Sequence, residues 1–232
     1  MITLKEILQE IQDRNFETPT EVYATNPAPK YRRLLTFANQ AVRKIIMAHD
    51  WSLLKRQHTV NVVDGQELYP LPEDYYSLIN QTTYRGSTYF PIDFVANSQS
   101  IAFRRNYDIG QVHTGRLYRG QLEFVNFPAG PVTLEYMSNG LVLHENGDSD
   151  LKFTADDDQF GADYSGLDEL IVLGTLAIYL RAKQSDGLDV AIQDYASELK
   201  QQIYNDSGAR YINNRGYDVP VKQAPFNPDY EI

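Results

Sequence analysis

Six aspartates crowd one polar stretch of the chain: Asp148, Asp150, Asp156, Asp157, Asp158 and Asp163. Clustered carboxylates in a loop can supply the several oxygen ligands that calcium takes. The EF-hand order with its central glycine is missing, and solvated acidic loops are common. Asp148, Asp150, Asp156, Asp157 and Asp158 are therefore the weak metal candidate, and the expectation is a loop without a dedicated cation and a protein without a cofactor. His49 and Asp50 have the types of a base and its orienting acid. Adjacent helical residues point to different faces, so a histidine favoured by a helix C-terminal dipole is the better reading. His58, His113 and His144 have no second histidine at metal-ligand spacing. Arg104, Arg105, Arg116 and Arg119 interleave with Tyr107 and Tyr118, which superficially matches a stacking surface for single-stranded nucleic acid. In an acidic chain they are read instead as pairing with carboxylates of a neighbouring copy. Lys30, Arg32, Arg33, Arg43 and Lys44 are read as a solvated or intersubunit helix face.

Motifs that would turn these residues into an enzyme do not occur. There is no G-x-S-x-G, P-loop, G-x-G-x-x-G or H-E-x-x-H pattern. With no cysteine, thiol nucleophiles, redox pairs and cysteine metal sites are excluded, and the residue usage fits a reducing compartment. The 232 residues carry a net charge of −10. An acidic surface repels DNA, which argues against a repressor or nuclease and suits a wall past which DNA slides. Seventeen tyrosines are many for this length; they serve either an ordinary β-rich rim or subunit interfaces. No apolar run approaches the roughly 20 residues of a membrane span. Met1–Leu8 carries Lys5 and Glu6 among its apolar residues, so it is not read as a signal peptide.

The elements that must position these residues are helices at both ends and a β-rich middle, an α+β class. Leu4, Ile7, Leu8 and Ile11 repeat at helical spacing, with Thr3 and Glu6 as a capping box. A second helix places Leu34, Leu35, Ala38, Ala41, Val42, Ile45 and Ile46 on one face and ends near His49–Asp50, before the only tryptophan, Trp51. From Gln57 the period becomes two, and Asp64–Gly65 predicts a hairpin between Thr59–Val63 and Glu67–Tyr69. Tyr69–Pro72 lacks two backbone donors and belongs at an edge or turn. The last helices use Leu167, Leu170, Ile171, Gly174, Ala177 and Ile178, with Ser165 as N-cap, then Leu188, Ile192, Tyr195, Leu199 and Ile203. The expected organisation is 1–56 as N-terminal helices, 57–138 as a β-rich insertion and 139–165 as an acidic loop. Residues 166–208 follow as C-terminal helices and 209–232 as an extended arm. That arm keeps Tyr211, Ile212, Tyr217, Val219, Val221, Phe226 and Tyr230; it either reaches a partner or folds back on its own domain.

The order of several segments resembles the head-to-tail adaptor family of tailed phages, similar in layout to the tail tubular A-type proteins of short-tailed phages. The segments are His49-Asp50-Trp51-Ser52-Leu53-Leu54 at a helix end and Tyr69-Pro70-Leu71-Pro72-Glu73-Asp74-Tyr75-Tyr76. They continue with Gly120-Gln121-Leu122-Glu123-Phe124-Val125-Asn126-Phe127-Pro128, Thr133-Leu134-Glu135-Tyr136 and Leu170-Ile171-Val172-Leu173-Gly174-Thr175-Leu176-Ala177. The likeness covers roughly residues 30 to 205. It implies a helical bundle with an antiparallel β-rich part inserted, no enzymatic turnover, and a ring of commonly twelve copies beneath the portal. It also implies a tail nozzle or tail-tube partner, non-specific passage of DNA, and a place in the virion neck after assembly in the host cytoplasm. Trp51 and Tyr69 are then expected at the junction of bundle and sheet. Asp156, Asp157 and Asp158 are candidates to line the channel, and the C-terminal arm to dock on portal or neighbour. A receptor- or carbohydrate-binding virion module using the β-part tyrosines is the alternative; a small hydrolase is a third.

Overall fold

A computed structural model describes residues 1–15, 17–19, 22–26, 28–79, 84–85, 92–95, 114–125, 129–161 and 165–208. Arg104, Arg105, Asp163 and the whole 209–232 arm lie outside them.

The chain starts with strand β1 (Ile2–Thr3) and helix α1 (Leu4–Arg14). The capping box forms: Glu6 N donates to Thr3 Oγ1 at 3.2 Å, and Thr3 N donates to Glu6 Oε2 at 2.8 Å. Helix α2 (Pro29–Ala48) opens on a proline, whose missing N–H costs nothing at a helix start. It buries Leu34, Ala38, Ala41, Val42, Ile45 and Ile46 on one stripe. Helix α3 (Asp168–Lys183) behaves differently from its expected one-sided pattern. Every residue from Leu170 to Leu180 is buried, which places α3 inside the helical part rather than at its surface. It is preceded by a 3-10 turn, Ser165–Leu167, and Leu167 rather than Ser165 takes the N-cap position. Helix α4 (Leu188–Gly208) packs on α3, as do α1 and α2.

At Gly174, α3 lies close to both α4 and α2. A Cβ there would lie 3.0 Å from Tyr195 Cε2 of α4 and 3.4 Å from Ala41 Cβ of α2. A side chain there would press on the Tyr195 ring.

The β part forms two sheets. Strand β2 (Lys55–Val62) pairs along its whole length with β9 (Gly130–Ser138), whose other side takes β4 (Tyr75–Leu78) and β5 (Tyr84–Arg85). The second sheet runs β3 (Leu68–Pro70), β8 (Gln121–Val125), β7 (Thr114–Tyr118), β6 (Asp93–Phe94). The β6–β7 pair is parallel, an exception to the antiparallel expectation. Asp64–Gly65 does form a turn, with Gly65 at φ +80, but not the predicted hairpin. Its flanking strands separate into different sheets. Tyr69 explains the divergence: its hydroxyl accepts from Val63 N at 2.8 Å and donates to Gln66 O at 2.9 Å, closing the turn through a side chain. Leu68–Pro70 then stands at a sheet edge, where its proline removes no needed donor.

Two cores result. Val60, Val62, Tyr69, Leu122, Phe124, Val132, Leu134 and Tyr136 form the sheet core. The helices form the other, together with Trp51, Met137, Leu141, Val142, Phe153 and Phe160. Strand β9 joins them, sending Tyr136 into one and Met137 into the other.

The 139–165 segment, expected as a loop, contains β10 (Val142–Leu143), β11 (Ser149–Asp150) and β12 (Gln159–Phe160). They form a small sheet with β1 in the order β1-β12-β10-β11. Leu141, Val142, Phe153 and Phe160 anchor it in the helical core, an apolar payload sparse enough to be hidden among the aspartates. Substituting Gly174 by valine should overpack this centre and lower unfolding stability by about 1–3 kcal/mol, measured by urea titration. An unchanged midpoint would contradict the close packing.

Candidate functional site

Two pairs of the segments that carry the family likeness meet: Tyr69–Pro70 pairs with Gln121–Leu122, and Tyr136 bonds Asp74. Trp51 is fully buried and its Nε1 donates to Ile45 O at 2.7 Å. It therefore seals the end of α2 within the core that also holds Met137 of β9. Tyr69 was expected at the same junction but sits in the sheet core, its ring tilted on Phe124 with centroids 5.8 Å apart. Tyr136 Oη donates to Asp74 Oδ1 at 2.7 Å, and Tyr75 stacks on the Tyr136 ring at 6.0 Å. Burial, reinforced by the Asp74 carboxylate, pushes Tyr136 up to about 12. Asp74 O also accepts from Asn139 N at 2.8 Å, fixing the exit from β9.

Asp206, near the end of α4, is the first of three buried or half-buried carboxylates that act as joints. Its side chain accepts from Ser52 N, with both oxygens at 3.1 Å, from Ser52 Oγ, and pairs with His49 Nε2 at 2.8 Å. The partner of His49 is not its neighbour Asp50 but a residue 157 positions away. Serine, aspartate and histidine are the residue types of a hydrolytic triad, but here the carboxylate stands between hydroxyl and imidazole. A triad needs the imidazole bonded to the hydroxyl it deprotonates. This order pins Ser52 in place and ties α4 to the α2–β2 corner.

Asp158 is the second joint, accepting from Thr154 N and Ala155 N and pairing with His144 Nδ1 at 2.8 Å. Asp156 is the third: its carboxylate accepts from Tyr23 N and from Ala24 N at 2.7 Å. Backbone bonds from Leu4 N to Asp158 O and Lys5 N to Asp156 O dock the same loop on α1. Of the expected channel-lining residues, Asp158 is 2% exposed and Asp156 is engaged; Asp157 is exposed. Among the metal candidates, Asp150 accepts from Leu151 N and Asp148 from Asn146 Nδ2. Among the described residues no group of three or more His, Cys, Asp or Glu is placed to hold a metal ion.

Glu17, which sequence reasoning passed over, accepts from Tyr179 and Lys183 of α3 and pairs with Lys30 of α2 at 2.6 Å. Burial opposes its ionisation, but bonds from Lys183, Lys30 and Tyr179 outweigh that and hold it at about 2. Asp158 and Asp206 are likewise lowered: burial pushes each up, and the hydrogen bonds to Thr154, Ala155 and His144, or to Ser52 and His49, win. The arginines divide. Arg116 is bonded to buried Glu123 across the β7–β8 pair, so its charge is already answered within the chain. Arg119 occupies the turn at φ 50 with its guanidinium 5.2 Å from the Tyr118 ring.

Among the described residues of this α+β fold, the carboxylate clusters join the chain's own elements. The sequence pattern of the SU10 adaptor protein family matches residues 2–221. The chain belongs to that family, a phage head-to-tail adaptor family, and is a structural component of the virion neck or tail that associates with other virion parts. Comparison with curated proteins finds no match. The family match takes in residues 2–25 and the acidic segment, which β1–β12 pairing joins. No helix among the described residues is long and apolar enough to cross a membrane.

Carboxylates that are stronger acids folded than unfolded contribute stability above the ordinary carboxylate range and lose it as pH falls through their lowered values. Unfolding free energy should therefore fall between about pH 5 and pH 2 in urea titrations. Asp206→Asn should cost about 2 kcal/mol at neutral pH and lose less than wild type on acidification. An acid limb equally steep in the variant would reject the Asp206 joint.

Proposed function

We propose that the chain is one subunit of an adaptor ring that docks beneath the portal, connects it to the tail nozzle or tail-tube proteins, and surrounds part of the DNA path. The observation that carries this reading is the family match from residue 2 to residue 221, which spans helices, sheets and the start of the C-terminal segment. The net charge of −10 supports it: many acidic copies around one opening repel DNA phosphates and keep the duplex from adhering. Twelve copies is the number the family resemblance favours. Exposed Asp157 is the remaining candidate of its triplet to face that opening.

Docking is assigned to the C-terminal arm, through Tyr211, Ile212, Tyr217, Val219, Val221, Phe226 and Tyr230. Aromatic side chains are effective anchors at interfaces. The Asp206 joint supports this assignment, because it holds the end of α4 from which the arm departs. Arg104, Arg105 and Arg119 remain candidates for pairing with a neighbour, whereas Arg116 has its carboxylate in Glu123.

Negative-stain microscopy of the purified chain, alone and with the portal ring of its phage, tests the reading. Rings, or monomers recruited by portal, are expected; a stable monomer that ignores portal and binds glycans would favour the receptor-binding alternative instead. Removing Ala209 to Ile232 should abolish portal recruitment while leaving the thermal transition of the fold near its original midpoint. Undiminished recruitment would remove the arm from the docking role.

A further inference from the structure

Helix α2 carries Lys30, Arg32, Arg33, Arg43 and Lys44 and not one aspartate or glutamate, in a chain of net charge −10. Lys30, Arg33, Phe37, Gln40 and Lys44 follow one another at three- and four-residue spacing and so share one flank of the helix. The C-terminal end of α3 lies beside that flank. Phe37 meets the Tyr179 ring edge-on at 6.5 Å, and Lys183 Nζ stands 4.6 Å from the same ring.

Glu17 answers Lys30 and Lys183. Among the described residues, Arg33, Lys44 and Arg181 have no ion-pair partner. Lys44 is half-buried, and its pKa is lowered, first by burial and then by the charge of Arg181. A half-buried lysine that feels a second cation is disfavoured unless an anion joins them.

The anionic counterpart occupies the other side of α2. Asn39 lies about 140° around the helix from Lys44 at 3.6 residues per turn. There it exchanges two hydrogen bonds with Phe153, Nδ2 donating to Phe153 O at 3.3 Å and Oδ1 accepting from Phe153 N at 2.7 Å. That contact seats the acidic segment, whose β10–β11 turn exposes Glu145 and Asp148. The Lys30, Arg33 and Lys44 flank of α2 is thus turned away from the acidic turn of the same subunit, whereas Arg32 and Arg43 lie on the Asn39 side. Complementary patches on different sides of one chain are what a heterologous head-to-tail contact requires, and such contacts close into rings when the rotation permits.

We propose that the flank formed by Arg33, Lys44 and Arg181 receives the acidic β10–β11 turn, Glu145 and Asp148, of the adjacent copy. The inference rests on the ring reading above and names the contact between its subunits. DNA is a poorer occupant, because Glu17 borders the same flank and repels phosphate.

The test uses the full chain with portal, rings being counted by negative-stain microscopy and native mass spectrometry. Arg33→Glu with Arg181→Glu should reduce the ring population about tenfold, as should Glu145→Lys with Asp148→Lys. A chain carrying all four substitutions should recover it. Circular dichroism should show each variant folded. Because the chain has no cysteine, a second measurement is independent of charge reversal. An equal mixture of Lys44→Cys and Asp148→Cys chains should form disulfide-linked dimers in assembled rings, and neither chain alone should. If wild-type chains form no rings, the ring reading fails and this contact with it. If wild-type rings form and both reversed pairs form them equally well, the contact alone is overturned. Rings lost on the basic side and not recovered by the fourfold variant would assign the flank to a different anion, DNA included, and would equally overturn the proposal.

Discussion

Helix α3 has no solvent-facing side over its central turns: every residue from Leu170 to Leu180 is buried. A helix apolar on all faces must be surrounded, and the rest of the helical part is arranged to surround it. Helices α1, α2 and α4 each pack on it. Gly174 lets Tyr195 of α4 and Ala41 of α2 approach at one level, a site at which an added side chain would press on the Tyr195 ring. The acidic segment depends on the same core, because Leu141, Val142, Phe153 and Phe160 reach it. A short, strongly charged stretch acquires a defined shape only by spending its few apolar residues there.

Burying an apolar helix leaves the chain crossings around it to be fixed by polar groups, and carboxylates, Glu17 among them, do this at several places. Asp206 ties the end of α4 to the corner between α2 and β2, Asp158 folds the 154–158 turn onto His144, and Asp156 captures the backbone of Tyr23 and Ala24. An ionised carboxylate accepts several bonds at once, so a single residue satisfies backbone donors that a chain reversal leaves unpaired. Part of the acidity that reads as surface repulsion is thus internal architecture. The exposed remainder, including Glu145, Asp148 and Asp157, is available for partners.

Strand β9 is the hinge between the two cores. Alternation sends Val132, Leu134 and Tyr136 toward the sheets, and Met137 turns toward the helices. A one-residue slip in its pairing with β2 would exchange those faces. The pairing with β2 is uninterrupted from Lys55↔Met137 to Val62↔Gly130, whereas the pairing with β4 shifts between Tyr75 and Ser77. The irregularity is confined to the side where Tyr75 stacks on Tyr136.

Much of this was legible in local pattern. Helical spacing located α1 and the buried stripe of α2, the capping box set the start of α1, and the prolines after Tyr69 marked an edge. These features depend on neighbours within a turn or two, where sequence distance and spatial distance agree. The non-local choices were not legible. Asp64–Gly65 makes its turn, but whether the strands beside it pair with each other depends on β9 and β8, some 60 residues away, competing for the same backbone groups. The α3 residues outside the expected stripe read as incidental until three helices are seen to cover them. The identity of Asp206 as the partner of His49 follows from a contact across 157 positions. The sequence alone determined the helical ends, the β-rich middle and the family. Only the tertiary structure decided which aspartates are joints and which are surface, because a carboxylate's role depends on the donors that distant segments bring to it.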